Sequence, residues 1–453
     1  MQIHAKHILI RDRWAQNCRV TCNEGRIITL EEGVDASAAD YAVDTLLPSL
    51  ANLHSHTFQR AMAGMTEFRA AGKESFWTWR ELMYRFLDHL TPEQFEAIAA
   101  LVFMEMQEAG YASVGEFHYV HHQPGGAPYA ALGELSSRVF AAAQQTGIGL
   151  THLPVLYTYG GVNQEVLSGG QLRFSNDTDR FLTLVEHCKT GLADLPGDAQ
   201  VGIAPHSLRA TSPDDLQHVL AATPQGPVHI HISEQLKEVA DVEAKLGQCP
   251  VAWLLDNFEV NDRWCLIHAT HMTEAETIAM AKSGAVAGLC PVTEANLGDG
   301  PFNGPTYLAH GGAFGLGSDS NIRISLTEEL RALEYSQRLR DMARNVMVVE
   351  EGSIGATLYQ GAAIGGAQAT GRDAGVIATG KLADLTAIDR SHPALCALRD
   401  DQLLDGLCFA ASDAVVTDTW SAGRHMVRSG RHVARDAIIS TYRTEIAKLL
   451  QAI

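Results

Sequence analysis

Basic residues are scarce in this 453-residue chain: 34 Lys and Arg stand against 53 Asp and Glu, a formal charge of -19. No basic stripe is available to grip a polyanion, so nucleic acid is not an expected partner. Uninterrupted apolar stretches of about 18 residues are missing as well. The opening "MQIHAKHILIRDRW" carries charges where a signal peptide needs an apolar core. Neither secretion nor membrane association is expected, and the expected location is the cytoplasm. The eight cysteines include no Cys-x-x-Cys pair. That argues against a cysteine-built metal knuckle or a disulfide framework and for reduced thiols, so any metal would be held by histidine and carboxylate. No internal repeat, low-complexity linker or G-x-G-x-x-G after the first strand is present.

What is there is an ordinary globular composition, 46% apolar and 19% charged. The length suits one barrel-sized domain plus a smaller one. Residues 1–50 read as short alternating strands punctuated by "NEG". From Leu47 short apolar segments alternate with helices that carry good start signals: Thr91-Pro92-Glu93-Gln94, Ser212-Pro213-Asp214-Asp215 and Thr273-Glu274-Ala275-Glu276. "YASVGEFHYVHH", "WCLIHATHM", "AVAGLCPVTEAN" and "GAFGLGSDSN" read as strands. This rhythm, kept up over roughly 320 residues, fits parallel strands with helical crossovers, as a closed (β/α)8 barrel or an open doubly wound sheet. Strands return after residue 371, in "AGVIATGKLADLTAIDR" and the hairpin-like "DTWSAGRHMVRSGRHV". The expected division is therefore 1–50 and 371–453 as the two parts of a small β domain, with 51–370 between them as the barrel.

Chemistry concentrates at strand ends. "LPSLANLHSHTFQRAMAG" holds His54 and His56, which share a face because side chains two apart on a strand point the same way. "VHIHISEQ" supplies His229, His231 and Glu234, "CLIHATH" supplies His268 and His271, and "GLGSDSN" supplies Asp319. Imidazole and carboxylate suit zinc, and a catalytic site keeps one position open for water. Spacing does not choose between His229 and His231. Glu234 lies three residues from His231 and faces away on a regular strand, so it joins the site only if the strand ends or bends there.

The order His-x-His, His-x-x-Glu, a later strand-end His and then Ser-Asp resembles the deaminase branch of the metal-dependent amidohydrolase superfamily. The resemblance covers essentially the whole chain, with "GKLADLTAID" typical of the C-terminal half. "NLHSHTFQRAMAG", "EFHYVHH" and "APHSLRA" are similar to the formimidoylglutamate deiminases within it. One departure is Pro48-Ser49, where Pro-Gly is usual. The resemblance implies a (β/α)8 TIM-like barrel with a small β-sandwich domain built from both chain ends, and a homodimer. It implies one divalent metal ion per subunit, zinc by expectation, on His54, His56, His231 and Asp319, with Glu234, His268 and Asp319 as the acid–base groups. The implied substrate is a small molecule, N-formimino-L-glutamate, converted to N-formyl-L-glutamate and ammonia in histidine degradation when metal-activated water attacks the formimino carbon.

Arg80 and Arg209 would then clamp the two carboxylates, while Gln59, Tyr119 and His206 add polar contacts. Phe76, Trp77 and Trp79 of "FWTW" fit a lid or plain aromatic packing. His118, His121, His122, His152 and His187 read as structural or solvated. Two rivals remain. A deaminase or chlorohydrolase acting on a purine, pyrimidine or triazine should have an apolar site without two convergent arginines. A silent barrel scaffold should have lost ligands that are all present here.

Overall fold

Strands covered on both faces read as continuous apolar runs, and Leu50–Ser55, Tyr111–His118, Gly149–Leu156, Val228–Ile232, Trp264–His268 and Val286–Leu289 are each buried at every position. In the computed structural model, which describes residues 1–38, 40–67 and 76–453 except the side chains of 76–78, they form one sheet with Ala313–Leu316 and the short pieces at 200–201 and 204–205. All neighbours in this sheet run parallel. Parallel bridges from Ile203 to Val228 and from Ser207 to His231 join its two edges. The sheet is therefore closed into a (β/α)8 barrel, with helices as the crossovers.

The helix starts follow their sequence signals. Thr91 Oγ1 accepts from the Gln94 amide at 3.3 Å, and Gln94 Oε1 accepts from the Thr91 amide at 2.9 Å. Ser212 with Asp215, and Thr273 with Glu276, close the same reciprocal pair. Each arrangement satisfies two donors that a helix N-terminus otherwise leaves orphaned.

"AVAGLCPVTEAN" is not one strand. The strand stops at Leu289, and Pro291 opens the helix Pro291–Leu297. Proline is pre-set for a first helical turn, and the Glu294 carboxylate accepts from the Cys290 amide at 2.9 Å. Similarly "YASVGEFHYVHH" is strand only as far as His118.

The helix Ile354–Ala369 lies so close to the barrel that a Cβ on Gly365 would stand 1.9 Å from the Phe314 carbonyl oxygen. That close approach explains the small-residue run "GAAIGGAQA". Ser49, where glycine is usual, is buried and donates its hydroxyl to the Gly110 carbonyl at 2.6 Å.

Strands from both chain ends form a second sheet in the order 431–432, 424–428, 416–421, 385–388, 41–48, 2–10, 13–23, 26–31. Val20 and Ile27 from one side of it and Leu385 and Trp420 from the other share a single core, so the sheet folds over itself as a small sandwich. A buried cluster fastens it to the barrel. Arg372 donates to Asp384 at 2.9 Å and to Asp198 at 2.9 Å, and Arg424 reaches Asp198 at 2.6 Å. Among the described residues no helix is long and apolar enough to cross a membrane.

Candidate active site

Barrel sites form at the C-terminal ends of the strands, and the strand Leu50–Ser55 delivers His54 at its tip with His56 one residue beyond it. The Asp319 amide donates to the His54 carbonyl at 2.9 Å, and the His56 amide donates to the Asp319 carbonyl at 2.9 Å. These two bonds pin three of the four expected ligands together through the backbone. His231, on the strand Val228–Ile232, completes the group: one ligand atom from each of His54, His56, His231 and Asp319 lies within 4.8 Å of all the others. His54 Nε2 stands 3.1 Å from His231 Nε2, and His56 Nε2 stands 3.2 Å from Asp319 Oδ1.

Tautomers follow from the neighbours. His56 Nδ1 faces the Phe117 carbonyl at 2.9 Å, and His231 Nδ1 faces the His206 carbonyl at 3.2 Å. A carbonyl only accepts, so each Nδ1 carries a proton directed at it, and each Nε2 is the nitrogen left to face the ligand group: His56 toward Asp319 and His231 toward His54. Burial holds His54 down to about 3 and His231 well below the usual imidazole range, so both are neutral, as ligands must be. Three imidazoles and a carboxylate converging on one buried point form a donor set that fits a divalent cation of the zinc type. His229 shares the strand face but lies deeper, with Nε2 2.7 Å from the Ala369 carbonyl. It does not join the group.

The barrel strands end abruptly here. Ser233, His268, Ala269 and Asp319 all adopt left-handed backbone conformations, with φ of 53°, 66°, 48° and 45°. Each costs roughly 1–3 kcal/mol, and such residues gather where function needs an odd side-chain direction. Ser233 supplies the bend that Glu234 requires: the strand stops at Ile232, and Glu234 turns into the pocket, buried. Its Oε1 lies 3.8 Å from His268 Nε2, and its Oε2 lies 3.8 Å from Arg209 Nη2.

His268 Nε2 is also 4.0 Å from Asp319 Oδ2, while its Nδ1 is 3.2 Å from Glu294 Oε1. Burial opposes charge on His268, but Glu234, Glu294 and Asp319 outweigh it and raise its pKa to about 10. A dication among the neighbouring ligands would work against that rise.

Gln59, Arg80, Tyr119, His206 and Arg209 line the same pocket. Gln59 Nε2 donates to the Tyr119 hydroxyl at 2.6 Å. Arg80, on the helix Phe76–Leu87, donates to the hydroxyls of Tyr84 and, at 3.2 Å, Tyr157. Burial, reinforced by Arg209 and Arg80, holds His206 neutral, well below its ordinary pKa. Two guanidinium groups thus face one pocket in a protein of charge -19.

Trp79 lines this pocket, whereas the side chains of Phe76 and Trp77 lie outside the described residues. His118, His121, His122 and His152 are buried elsewhere, His187 is exposed, and His271 stays out of the ligand group. Sequence reasoning missed Glu294 and Glu238. Pro291 opening a helix would have placed Glu294, and a Glu at the third position of the helix Leu236–Leu246 would have flagged Glu238.

Known proteins match this chain over nearly its whole length. The model of the amidohydrolase family matches residues 45–426, and that of the N-terminal domain of the formimidoylglutamate deiminase HutF matches residues 1–43. A formimidoylglutamate deiminase of Pseudomonas aeruginosa is 46% identical over 451 residues, 99% of each chain. The crystal structure of an amidohydrolase from Brucella melitensis superposes with a TM-score of 0.95 at 48% identity, covering 99% of each chain. A zinc-bound adenosine deaminase from Xanthomonas campestris shares the fold, with a TM-score of 0.83 at 21% identity over 99% of this chain and 98% of its own. Two family models that together span most of the chain, and a relative 46% identical over 99% of it, agree: the chain belongs to the amidohydrolase family, in its formimidoylglutamate deiminase group.

Proposed function

We propose that this hydrolase converts N-formimino-L-glutamate and water to N-formyl-L-glutamate and ammonia in histidine degradation. One divalent metal per subunit, zinc in this reading, would sit on His54, His56, His231 and Asp319. The observation that carries the substrate class is the pair Arg80 and Arg209 facing the pocket that holds Glu234, His268 and Asp319. A planar guanidinium meets a carboxylate with two hydrogen bonds, and the proposed substrate has two carboxylates beside its amidine. The zinc assignment is supported by the donor set and by the zinc in the adenosine deaminase of the same fold. A homodimer goes with this reading on the strength of the family resemblance, and a cytoplasmic location on the scattered cysteines without a Cys-x-x-Cys pair.

When bound, the metal supplies Lewis-acid activation of a water molecule. Asp319 takes the proton of that water as its oxygen adds to the formimino carbon. His268, with Nε2 turned toward Glu234 and Asp319, donates to the attacking oxygen and stabilises the charge that develops on it. Both protons of the water end on the departing nitrogen, one carried there by Glu234 and the other returned from Asp319, so the oxygen becomes the formyl carbonyl as the C–N bond breaks and ammonia leaves. Arg80 and Arg209 hold the carboxylates, and Gln59, Tyr119 and neutral His206 orient the rest.

The test is ammonia release from N-formimino-L-glutamate beside adenosine and cytosine, paired with elemental analysis. Release from the formimino compound with one metal per chain is the expected result. Release only from the ring compounds would overturn the substrate assignment.

A further inference from the structure

Glu238 is a fully buried carboxylate outside the proposed acid–base set. It is the third residue of the helix Leu236–Leu246, a position from which a glutamate ordinarily reaches back to the N-cap amide. Here it reaches past the cap. Oε1 accepts from the Ser233 amide at 3.2 Å, and Oε2 accepts from the Glu234 amide at 3.1 Å. Those are the amides of the left-handed turn that swings Glu234 into the pocket. The same Oε2 stands 3.9 Å from Arg209 Nε, a buried donor with no hydrogen-bond partner among the described residues.

We propose that Glu238 is a positioning residue for both ends of the substrate: its paired backbone hydrogen bonds hold the turn that delivers Glu234, and its charge holds the Arg209 guanidinium toward the pocket. The substrate's identity in this proposal rests on the deiminase reading. Two oxygens that both accept backbone N–H groups demand a carboxylate. An amide has one acceptor oxygen, and its NH2 would face a second donor. Glutamine therefore keeps the volume and loses the function, which makes it the informative substitution.

The experiment compares Glu238→Gln with the unaltered, metal-loaded enzyme and with Lys237→Ala, an exposed change on the same helix. Substrates are N-formimino-L-glutamate, N-formimino-4-aminobutanoate and N-formimino-2-aminobutanoate, the last two each lacking one carboxylate. Glu238→Gln should keep its metal and lose at least thirtyfold in kcat. Its preference for the dicarboxylate over one of the two analogues, in kcat/KM, should fall about tenfold, whereas Lys237→Ala should match the unaltered enzyme. General loosening of the fold would not move that ratio. A kcat within threefold of the unaltered enzyme, or an unchanged ratio against both analogues, overturns the proposal.

A crystal structure of Glu238→Gln gives a reading independent of turnover. Glu234 swung out of the pocket and Arg209 displaced support the proposal; both residues unmoved overturn it. Silence of the unaltered enzyme toward N-formimino-L-glutamate would instead sink the deiminase reading, and Glu238 would be judged on that crystal structure.

Discussion

Glu294 Oε1 lies 3.2 Å from His268 Nδ1, both groups buried at the mouth of the barrel. A carboxylate only accepts, so the Nδ1 proton points at Glu294, and Nε2 is the nitrogen left to face Glu234 and Asp319. Replacing Glu294 with leucine frees the ring to take the wrong tautomer or turn. The expected loss in kcat is on the order of a hundredfold, the upper range for such supporting partners. Metal content should stay at the level of the unaltered protein, because Glu294 touches none of the four ligands. Steady-state ammonia release with elemental analysis checks this; metal loss in place of a kcat defect would contradict it.

Glu234→Gln is the sharper substitution. It keeps the shape and removes the proton carrier, so turnover should fall by at least about a thousandfold while the metal stays bound, since residues that act as a unit fail together. Near-normal ammonia release would remove Glu234 from the acid–base role.

Arg80→Lys and Arg209→Lys should each lower kcat/KM for N-formimino-L-glutamate by roughly tenfold to a hundredfold. One charge-assisted hydrogen bond contributes about 1.5–3 kcal/mol, and lysine cannot reproduce the planar fork. Most of the change should fall on KM, read from saturation curves. A variant whose KM is unchanged would show that its arginine does not hold a carboxylate.

Much of this site is legible in the chain before any coordinates, and for a definable reason. His54, His56, His231 and Asp319 sit at strand ends, where a period of two and a boundary fix direction. Their convergence follows once the strands close into a barrel. His229 and His231 have equal parity, so only depth in the barrel separates them, and depth is a property of the closed sheet. Glu234 depends on the φ of 53° at Ser233, a backbone choice that no side-chain periodicity announces. Glu294 stayed hidden because the apolar run before it reads as strand, although Pro291 marks the change. The anchoring of Glu238 involves Arg209, 29 positions earlier in the chain, and contacts between separate crossovers leave no local signature.

Gly365→Ala tests how tightly the barrel floor is built. The added methyl would meet the Phe314 carbonyl oxygen at 1.9 Å, and backbone cannot swing aside as a side chain can. The helix Ile354–Ala369 must lift from the strand Ala313–Leu316, whose far end carries Asp319. A destabilisation of about 1–3 kcal/mol or more is expected for such overpacking. Denaturant titration of the metal-free protein measures it, and a midpoint unchanged from the parent would refute the close approach.

Arg372 contributes to the pH dependence of stability through Asp198. Burial pushes the Asp198 carboxyl up, but Arg424 and Arg372 outweigh it and hold its pKa below the usual carboxylate value. A folded-state pKa depressed in this way contributes stability that is present above the unfolded value of about 3.9 and is lost as pH falls through the folded value. Arg372→Met strips that partner from Asp198 and leaves Asp384 buried without its guanidinium. Breaking a buried pair from one side costs about 3–5 kcal/mol. Because the depression of Asp198 shrinks in the variant, less of its stability remains to be lost in acid. The gap between the two proteins should therefore be widest near neutral pH and narrow as pH falls from about 4 through the depressed folded-state value of Asp198. Denaturant midpoints measured from pH 7 down to about pH 2 check the sign, and a gap that widens toward acid would show that Asp198 is not the group responsible.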